Sequence, residues 1–357
     1  MEPRIKRATL EQECNMDIKA AIAQLMQAKD LSGESVIEVM RAIMSGATTD
    51  AQNAAFLVAL QIKGASVEEV FGGATVMREL ATKVPIDDRE FLVDTCGTGG
   101  SGSNKFNVST ASAIVAACAG ARVAKHGNRG ASSKSGSADV LEAAGVTLGL
   151  SAEAVARCID EIGVGFMFAP AHHSAMKHVI AARKEIGVRT VFNVLGPLTN
   201  PAGAPNQVMG VYAAEWIPLL IDVLRRLGSE HVLIVAADDG LDEISIAADT
   251  RVGELKNGEL LEYVVSPEEF GMRRRESVDS LRIESPEESL AMLRASLDYS
   301  HEDAGDIVAL NAGAAIYAAG IEGSLVEGVA RAQTVLKSGE ALIKLEALVS
   351  FTQAQGH

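Results

Sequence analysis

The stretch FLVDTCGTGGSGSNKFNVST, residues 91–110, decides how the rest of the chain is read. A short apolar run enters a loop with glycines at 97, 99, 100 and 102, and the chain leaves that loop into an apolar segment beginning at about Ser109. Glycine permits close backbone approach and positive φ, and a helix start offers unpaired N–H groups carrying partial positive charge. The hydroxyls of Ser101, Ser103, Ser109 and Thr110 add hydrogen-bond donors. A tight strand-to-helix connection needs less than this, so the loop reads as an anion site, with phosphate as the first expectation.

Two nucleotide-binding loops nearly fit. Gly97, Gly99 and Gly102 satisfy G-x-G-x-x-G. A dinucleotide fold, however, asks for an acidic residue about 20 positions on, and that neighbourhood reads ARVAKHGNR. Gly97 and Gly102 also have P-loop spacing, yet Ser103 stands where that loop requires Lys.

On either side of the loop the sequence changes character. From Asp17 to Lys83 four helical segments follow one another, with Ser32, Thr49 and Ser66 as N-caps, Gly46 and Gly64 as stops and Pro85 as terminator. Beyond Pro85, apolar strands (FLVDTC, ARVAKHG, VGFMFAP, TVFNVLG, QVMGVYA, HVLIVAADDG) alternate with helices, including HSAMKHVIAARKEIG and IPLLIDVLRRLG. Such alternation predicts an α/β fold with a mostly parallel central sheet. VGELKNGELLEYVV predicts a hairpin at Asn257 and Gly258, and the Ala-rich C-terminal helices predict core or subunit contact. Three segments result: a loose extension over 1–15, a small helical domain over 16–88 joined by helices from about 174–200, and a large α/β domain over 89–357.

Composition excludes several functions. The 357 residues carry 32 Lys plus Arg against 47 Asp plus Glu, a net charge of −15, which argues against general nucleic-acid or anionic-membrane binding. Cys14, Cys96, Cys118 and Cys158 are scattered without a CxxC pair, as expected of reduced thiols in a cytoplasmic protein. No stretch reaches the ~18 consecutive apolar residues of a membrane span.

Three further stretches carry chemistry. KHGNRGASSKSGSADVLEAAG, residues 125–145, gathers Lys125, His126, Arg129 and Lys134 before a helix start, a second anion loop within an acidic chain. After a strong strand, Asp238, Asp239, Asp242 and Glu243 form either a solvated acidic turn or a seat for magnesium, which favours one or two carboxylates with water and phosphate oxygens. In FMFAPAHHSAMKHVIAARKEIGVRTVFNVLGPLTNPAG, Arg183 lies on a helix, and His172 and His173 read as pocket lining or satisfied structural residues.

Taken together, GTGGSGSNKFNVST, KHGNRGASSKSGSADVLEAAG, FNVLGPLTNPAG and DDGLDE resemble the anthranilate phosphoribosyltransferase family of tryptophan biosynthesis, over nearly the whole chain from about Met16. The resemblance implies a fold of the nucleoside phosphorylase/phosphoribosyltransferase type, and a homodimer paired through the helical domain. It also implies transfer of the phosphoribosyl group of 5-phosphoribosyl diphosphate to the amine of anthranilate, with two magnesium ions.

Carried onto this sequence, the family's donor site falls on Gly97, Gly100, Ser101, Lys105, Asn107, Val108, Ser109 and Thr110. It continues through Lys125, His126, Gly127, Asn128, Arg129 and Gly130 to Ala131, Ser132, Ser133 and Ser137. Gly97, Asn128 and Arg183 would meet anthranilate, Arg183 through the carboxylate. Ser109 would ligate one magnesium, and Asp242 with Glu243 the second. Lys125 would stabilise the leaving diphosphate, and His126 would take the amine proton late. Two positions depart from the family pattern: Ser101 replaces a usual Asp, and Lys105 a usual small hydroxyl residue. Both changes are expected to raise the positive potential of the loop and alter magnesium dependence while leaving donor binding intact. A pyrimidine nucleoside phosphorylase-like enzyme and a non-catalytic nucleotide-binding relative are the alternatives. The first suits KHGNR and GPLTNP poorly, and the second has no use for Asp242 and Glu243.

Overall fold

The computed structural model describes residues 16–99, 102–130 and 133–355. The expected extension over 1–15 lies outside them. Four helices open the chain: α1 Ile18–Leu25, α2 Gly33–Met44, α3 Asp50–Lys63 and α4 Val67–Leu80. Each starts where an oxygen side chain takes up a free N–H group: Asp17, Ser32, Thr49 and Ser66 accept from Lys19, Ser35, Gln52 and Glu69. Glu69 answers the cap and goes further, its buried carboxylate accepting from Ser66 N, Leu31 N and Lys63 Nζ.

The large domain threads β1 Leu92–Gly97, α5 Val108–Cys118, β2 Arg122–Gly127, α6 Ser137–Ala143, α7 Ala152–Ile162 and β3 Val164–Phe168. It continues through α8 Ala169–His172, α9 Lys177–Ile186, α10 Phe192–Leu195, β4 Asn206–Gly210, α11 Ile217–Arg226 and β5 His231–Ala237. A hairpin of β6 Thr250–Lys256 and β7 Glu259–Val265 turns at Asn257 and Gly258, both at positive φ as a tight primed turn requires. Helices α12 Pro286–Leu297, α13 Glu302–Ala318, α14 Leu325–Ser338 and α15 Glu340–Gln355 close the chain.

The strands form one sheet in the order β3-β2-β1-β4-β5-β6-β7, parallel from β3 to β5 and antiparallel beyond. From β1 the chain steps outward to β2 and β3, then returns to the other side of β1 with β4. Such a reversal of strand order opens a crevice at the carboxyl ends of the strands. Register aligns those ends, with Gly97 beside Gly210 and Gly210 beside Val235.

One core packs α5, α13 and the C-terminal helices on one face of the sheet; another joins the four N-terminal helices to α11 on the other face. Every residue of α13 from Ala304 to Ala318 is buried, so its Ala-rich surface is core within the subunit. Helix α9 packs on α3, where Asn53 Nδ2 donates to the His178 carbonyl at 3.1 Å.

TVFNVLG is not the strand its β-branched and aromatic residues predict. Phe192–Leu195 is a helical turn, followed by a 3₁₀ turn over Gly196–Leu198. Asn193 Oδ1 accepts from Thr190 N and starts the turn, and Phe192, Val194, Leu195 and Leu198 are all buried. A segment buried on all sides loses the alternation that separates helix from strand.

Candidate active site

The two glycine-serine loops leave neighbouring parallel strands, β1 and β2, so both emerge at the same edge of the sheet. Gly99, Gly102 and Asn104 hold positive φ in the first loop. Asn107, at the N-cap of α5, ties the loops together: its Nδ2 donates to the Ser135 carbonyl at 3.1 Å, and its Oδ1 accepts from Ser135 Oγ at 2.8 Å and Ser289 Oγ at 2.7 Å. Val108 and Thr110 are buried, Ser109 is half-buried, and the Thr110 hydroxyl has no protein partner.

In the second loop Asp139 acts as the anchor. One carboxylate oxygen accepts from Gly130 N and Gly136 N, each at 2.8 Å, and the other from Arg129 at 3.0 Å. Burial opposes ionisation there, but these donors outweigh it and hold the Asp139 carboxyl below its ordinary range. Gly136 is glycine because a Cβ would lie 2.2 Å from Gly130 N. Arg129 also pairs with Glu142, and Lys134 with Glu284. Ser133 Oγ donates to the Ser135 carbonyl, and Ser137 Oγ to the Asn128 carbonyl. Gly127 packs directly under Ser137.

Lys125 is 3% exposed on β2. Its Nζ donates to the Thr95 carbonyl at 2.5 Å and to Ser109 Oγ at 3.2 Å. Burial lowers its affinity for the proton, with Asp94 opposing. His126 packs against His173 with ring centroids 5.1 Å apart and the ring planes tilted by 55°, and burial, then His173, His172 and Lys125, push its imidazole down to about 3. His173 is pushed down to about 4 by burial and His172. His172 is satisfied through the Thr82 carbonyl, whereas Nε2 of both His126 and His173 is buried without a protein partner.

The four acids after β5 divide. Asp239 shapes its own loop, accepting from Ser245 Oγ and Leu241 N, and Asp238 faces Arg251 at the surface. Asp242 and Glu243 turn inward to the first glycine loop. Lys105 Nζ lies 2.7 Å from Asp242 Oδ1 and 2.6 Å from Glu243 Oε2, with all three side chains about nine-tenths buried. Burial pushes Glu243 up to about 8 and the like charge of Asp242 adds to it, while Lys105 pulls the other way. Burial alone would depress Lys105, but the two acids hold its ammonium above its ordinary value. The charge of Lys105 is therefore taken up by these carboxylates, and does not raise the potential of the loop as the sequence reading expected. Close packing fixes the acidic turn, since a Cβ on Gly210 would fall 1.7 Å from the Asp242 carbonyl oxygen. Asn311 accepts from Ile244 N and donates back to its carbonyl.

A small cavity beneath the first loop is lined by Thr95, Ser109, Ser112, Asp242, Glu243 and Asn311. These carry side-chain oxygens, the ligand type of a hard cation, while Cys96, Val208, Gly210 and Val235 complete the lining with no side-chain oxygen. Among the described residues no set of three or more His, Cys, Asp or Glu side chains is placed to hold a metal. Arg183 lies on α9, half-buried, its guanidinium 5.3 Å from the centre of the Phe192 ring; burial lowers its proton affinity. Gly100, Ser101, Ala131 and Ser132 lie outside the described residues.

Ser135, Asp139, Ser289 and Asn311 escaped the sequence reading. Ser289 had a findable signal, because Ser285, Pro286, Glu287 and Glu288 open α12 with an N-cap, a first-turn proline and first-turn acids.

The "Glycosyl transferase family, helical bundle domain" matches residues 19–81, and the "Glycosyl transferase family, a/b domain" matches residues 89–342. The chain is 60% identical over 341 residues to the anthranilate phosphoribosyltransferase of Hahella chejuensis, covering 94% of this chain and 98% of the relative. It is similar to the crystal structure of anthranilate phosphoribosyltransferase from Thermus thermophilus, with a TM-score of 0.87 and 45% identity over 93% of this chain and 99% of that one. The Saccharomyces cerevisiae enzyme in complex with PRPP (5-phosphoribosyl diphosphate) and Mg matches with a TM-score of 0.85 and 25% identity, over 94% and 98% of the chains. Among the described residues no helix is long and apolar enough to cross a membrane.

Proposed function

The chain belongs to the anthranilate phosphoribosyltransferase family, which joins the phosphoribosyl group of 5-phosphoribosyl diphosphate to the amine of anthranilate in tryptophan biosynthesis, and we propose that it does so at the crevice above β1, β2 and β5. One observation carries this placement. Two phosphate-type loops and an acidic pair converge where strand order reverses, and Lys105 physically joins the first loop to the acids.

Breaking the bond between ribose C1 and diphosphate leaves a cationic ribosyl centre and an anionic leaving group. Helices α5 and α6 start directly out of the two loops where that anion would sit, and the partial positive charge of a helix start favours developing negative charge. Two of the three ammonium donors of Lys125 are engaged by Thr95 and Ser109, so it would position Ser109 while its charge would stabilise the leaving diphosphate. Magnesium, present with the donor in the complex of the yeast relative, would when bound supply neutralisation of the diphosphate charge. Ser109 would hold one ion on the diphosphate side, and Asp242 with Glu243 form a second cation seat.

The aromatic amine of anthranilate is neutral at pH 7 and needs no strong base to become a nucleophile. Arg183 would receive its carboxylate, and Asn128 and Gly97 would also meet it. His126, neutral and with Nε2 free of protein partners, can accept the proton that the amine releases after attack. Pairing of two subunits through the helical domain belongs to the same reading. Met26 and Ile62 are apolar side chains 77% and 81% exposed there. A cytoplasmic location, with the domain boundaries near residues 88 and 174–200, completes it.

Titration calorimetry tests the placement. Donor should bind the unaltered chain in a magnesium-dependent way and bind Ser109→Ala at least about tenfold more weakly, a loss of about 1.4 kcal/mol. Equal affinity in a folded Ser109→Ala would put the donor elsewhere.

A further inference from the structure

We propose that in this chain the ammonium of Lys105 fills the cation seat formed by Asp242 and Glu243, so that the donor binds with a single divalent ion, at Ser109. The proposal rests on the phosphoribosyl-transfer reading and specifies its metal count.

Three observations carry it. Lys105 Nζ already lies 2.7 Å from Asp242 and 2.6 Å from Glu243, inside the distance at which a divalent ion and its waters would need the same oxygens. The backbone around Lys105 is pinned to a separate segment: Lys105 bridges Arg282, Phe106 N donates to the Leu281 carbonyl at 3.0 Å, and Ile283 N donates to the Asn104 carbonyl at 2.9 Å. Phe106, the next residue, is 1% exposed. The backbone that carries the two acids is equally fixed, by Asn311 on Ile244 and by the close packing of the Asp242 main chain on Gly210. Neither side of the ion pair can therefore withdraw by a loop movement alone.

Charge and ligand supply agree with this. The ammonium sets one fixed positive charge against the two acids, where a divalent ion would set two. The loop from Gly97 to Asn104 contains no acid that could complete a second metal site. The tethered cation thus supplies part of what a second ion would, without an ion to recruit.

Equilibrium dialysis with manganese and 5-phosphoribosyl diphosphate, without anthranilate, tests the count directly. The unaltered chain should hold one manganese per bound donor, with an uncoupled paramagnetic resonance signal. Lys105→Thr should hold two, with a magnetically coupled signal, and Lys105→Arg should remain at one. Two coupled ions in the unaltered chain would overturn the proposal, whether or not Lys105→Thr folds. A count of one in a folded Lys105→Thr would also overturn it. No donor binding at all would remove the phosphoribosyl-transfer reading, and this proposal with it.

Discussion

The Nζ of Lys125 lies 3.2 Å from the Oγ of Ser109 while also donating to the Thr95 carbonyl. A cation fully inside the sheet thus orients the hydroxyl assigned to magnesium. Lys125→Met keeps the stem and removes the donors, leaving Thr95 O without that partner. It should lower unfolding free energy by about 1–3 kcal/mol and weaken magnesium activation more than anthranilate binding. Denaturant titration and metal activation curves check both.

Asn107 joins both loops to α12 through Ser135 and Ser289. Ser289 is not itself an assigned substrate contact but holds one of them, Asn107, from behind, so Ser289→Ala separates a latch from a ligand contact. It should raise KM for the donor several-fold and leave KM for anthranilate unchanged, as expected for a lost hydrogen bond of about 1 kcal/mol. Steady-state kinetics in both substrates decides.

Gly210→Ala inserts a Cβ where the Asp242 carbonyl oxygen stands. Overpacking of this kind costs about 1–3 kcal/mol, and the acidic turn must shift to relieve it. A fall in kcat by about two orders of magnitude, with α-helical circular dichroism retained, is the expected outcome.

His126 and His173 set an acid limit. Their folded values, about 3 and about 4, lie below the ordinary value of 6.5, so the unfolded chain binds more protons between those limits. The stability they contribute is complete above about pH 6.5 and is lost as pH falls towards about 4 and then 3. His126→Gln should reduce the slope of unfolding free energy between pH 4 and 6 by up to about 1.4 kcal/mol per pH unit, the value for one proton. Urea titrations across that range measure it.

Much of this molecule is legible in its sequence, for reasons that differ by element. Ser32, Thr49 and Ser66 announce their helices because an N-cap is a local interaction. The turn at Asn257 and Gly258 is equally local. Phe192–Leu195 misleads because burial on all sides erases periodicity. At the site, the glycine loops and the acids after β5 are visible as residue types in the right order. That Lys105 reaches Asp242 across 137 positions of sequence, and Glu243 next to it, depends on β1, β4 and β5 lying side by side, which no local pattern encodes.

The most direct measurement follows anthranilate fluorescence in the purified protein with 5-phosphoribosyl diphosphate and magnesium, each omitted in turn, for the unaltered chain and Arg183→Ala. Decay that requires both additions, with KM for anthranilate raised at least about tenfold in Arg183→Ala (about 1.4 kcal/mol), is the predicted result. No decay in the unaltered chain while the donor still binds, or an unchanged KM in a folded Arg183→Ala, would contradict it.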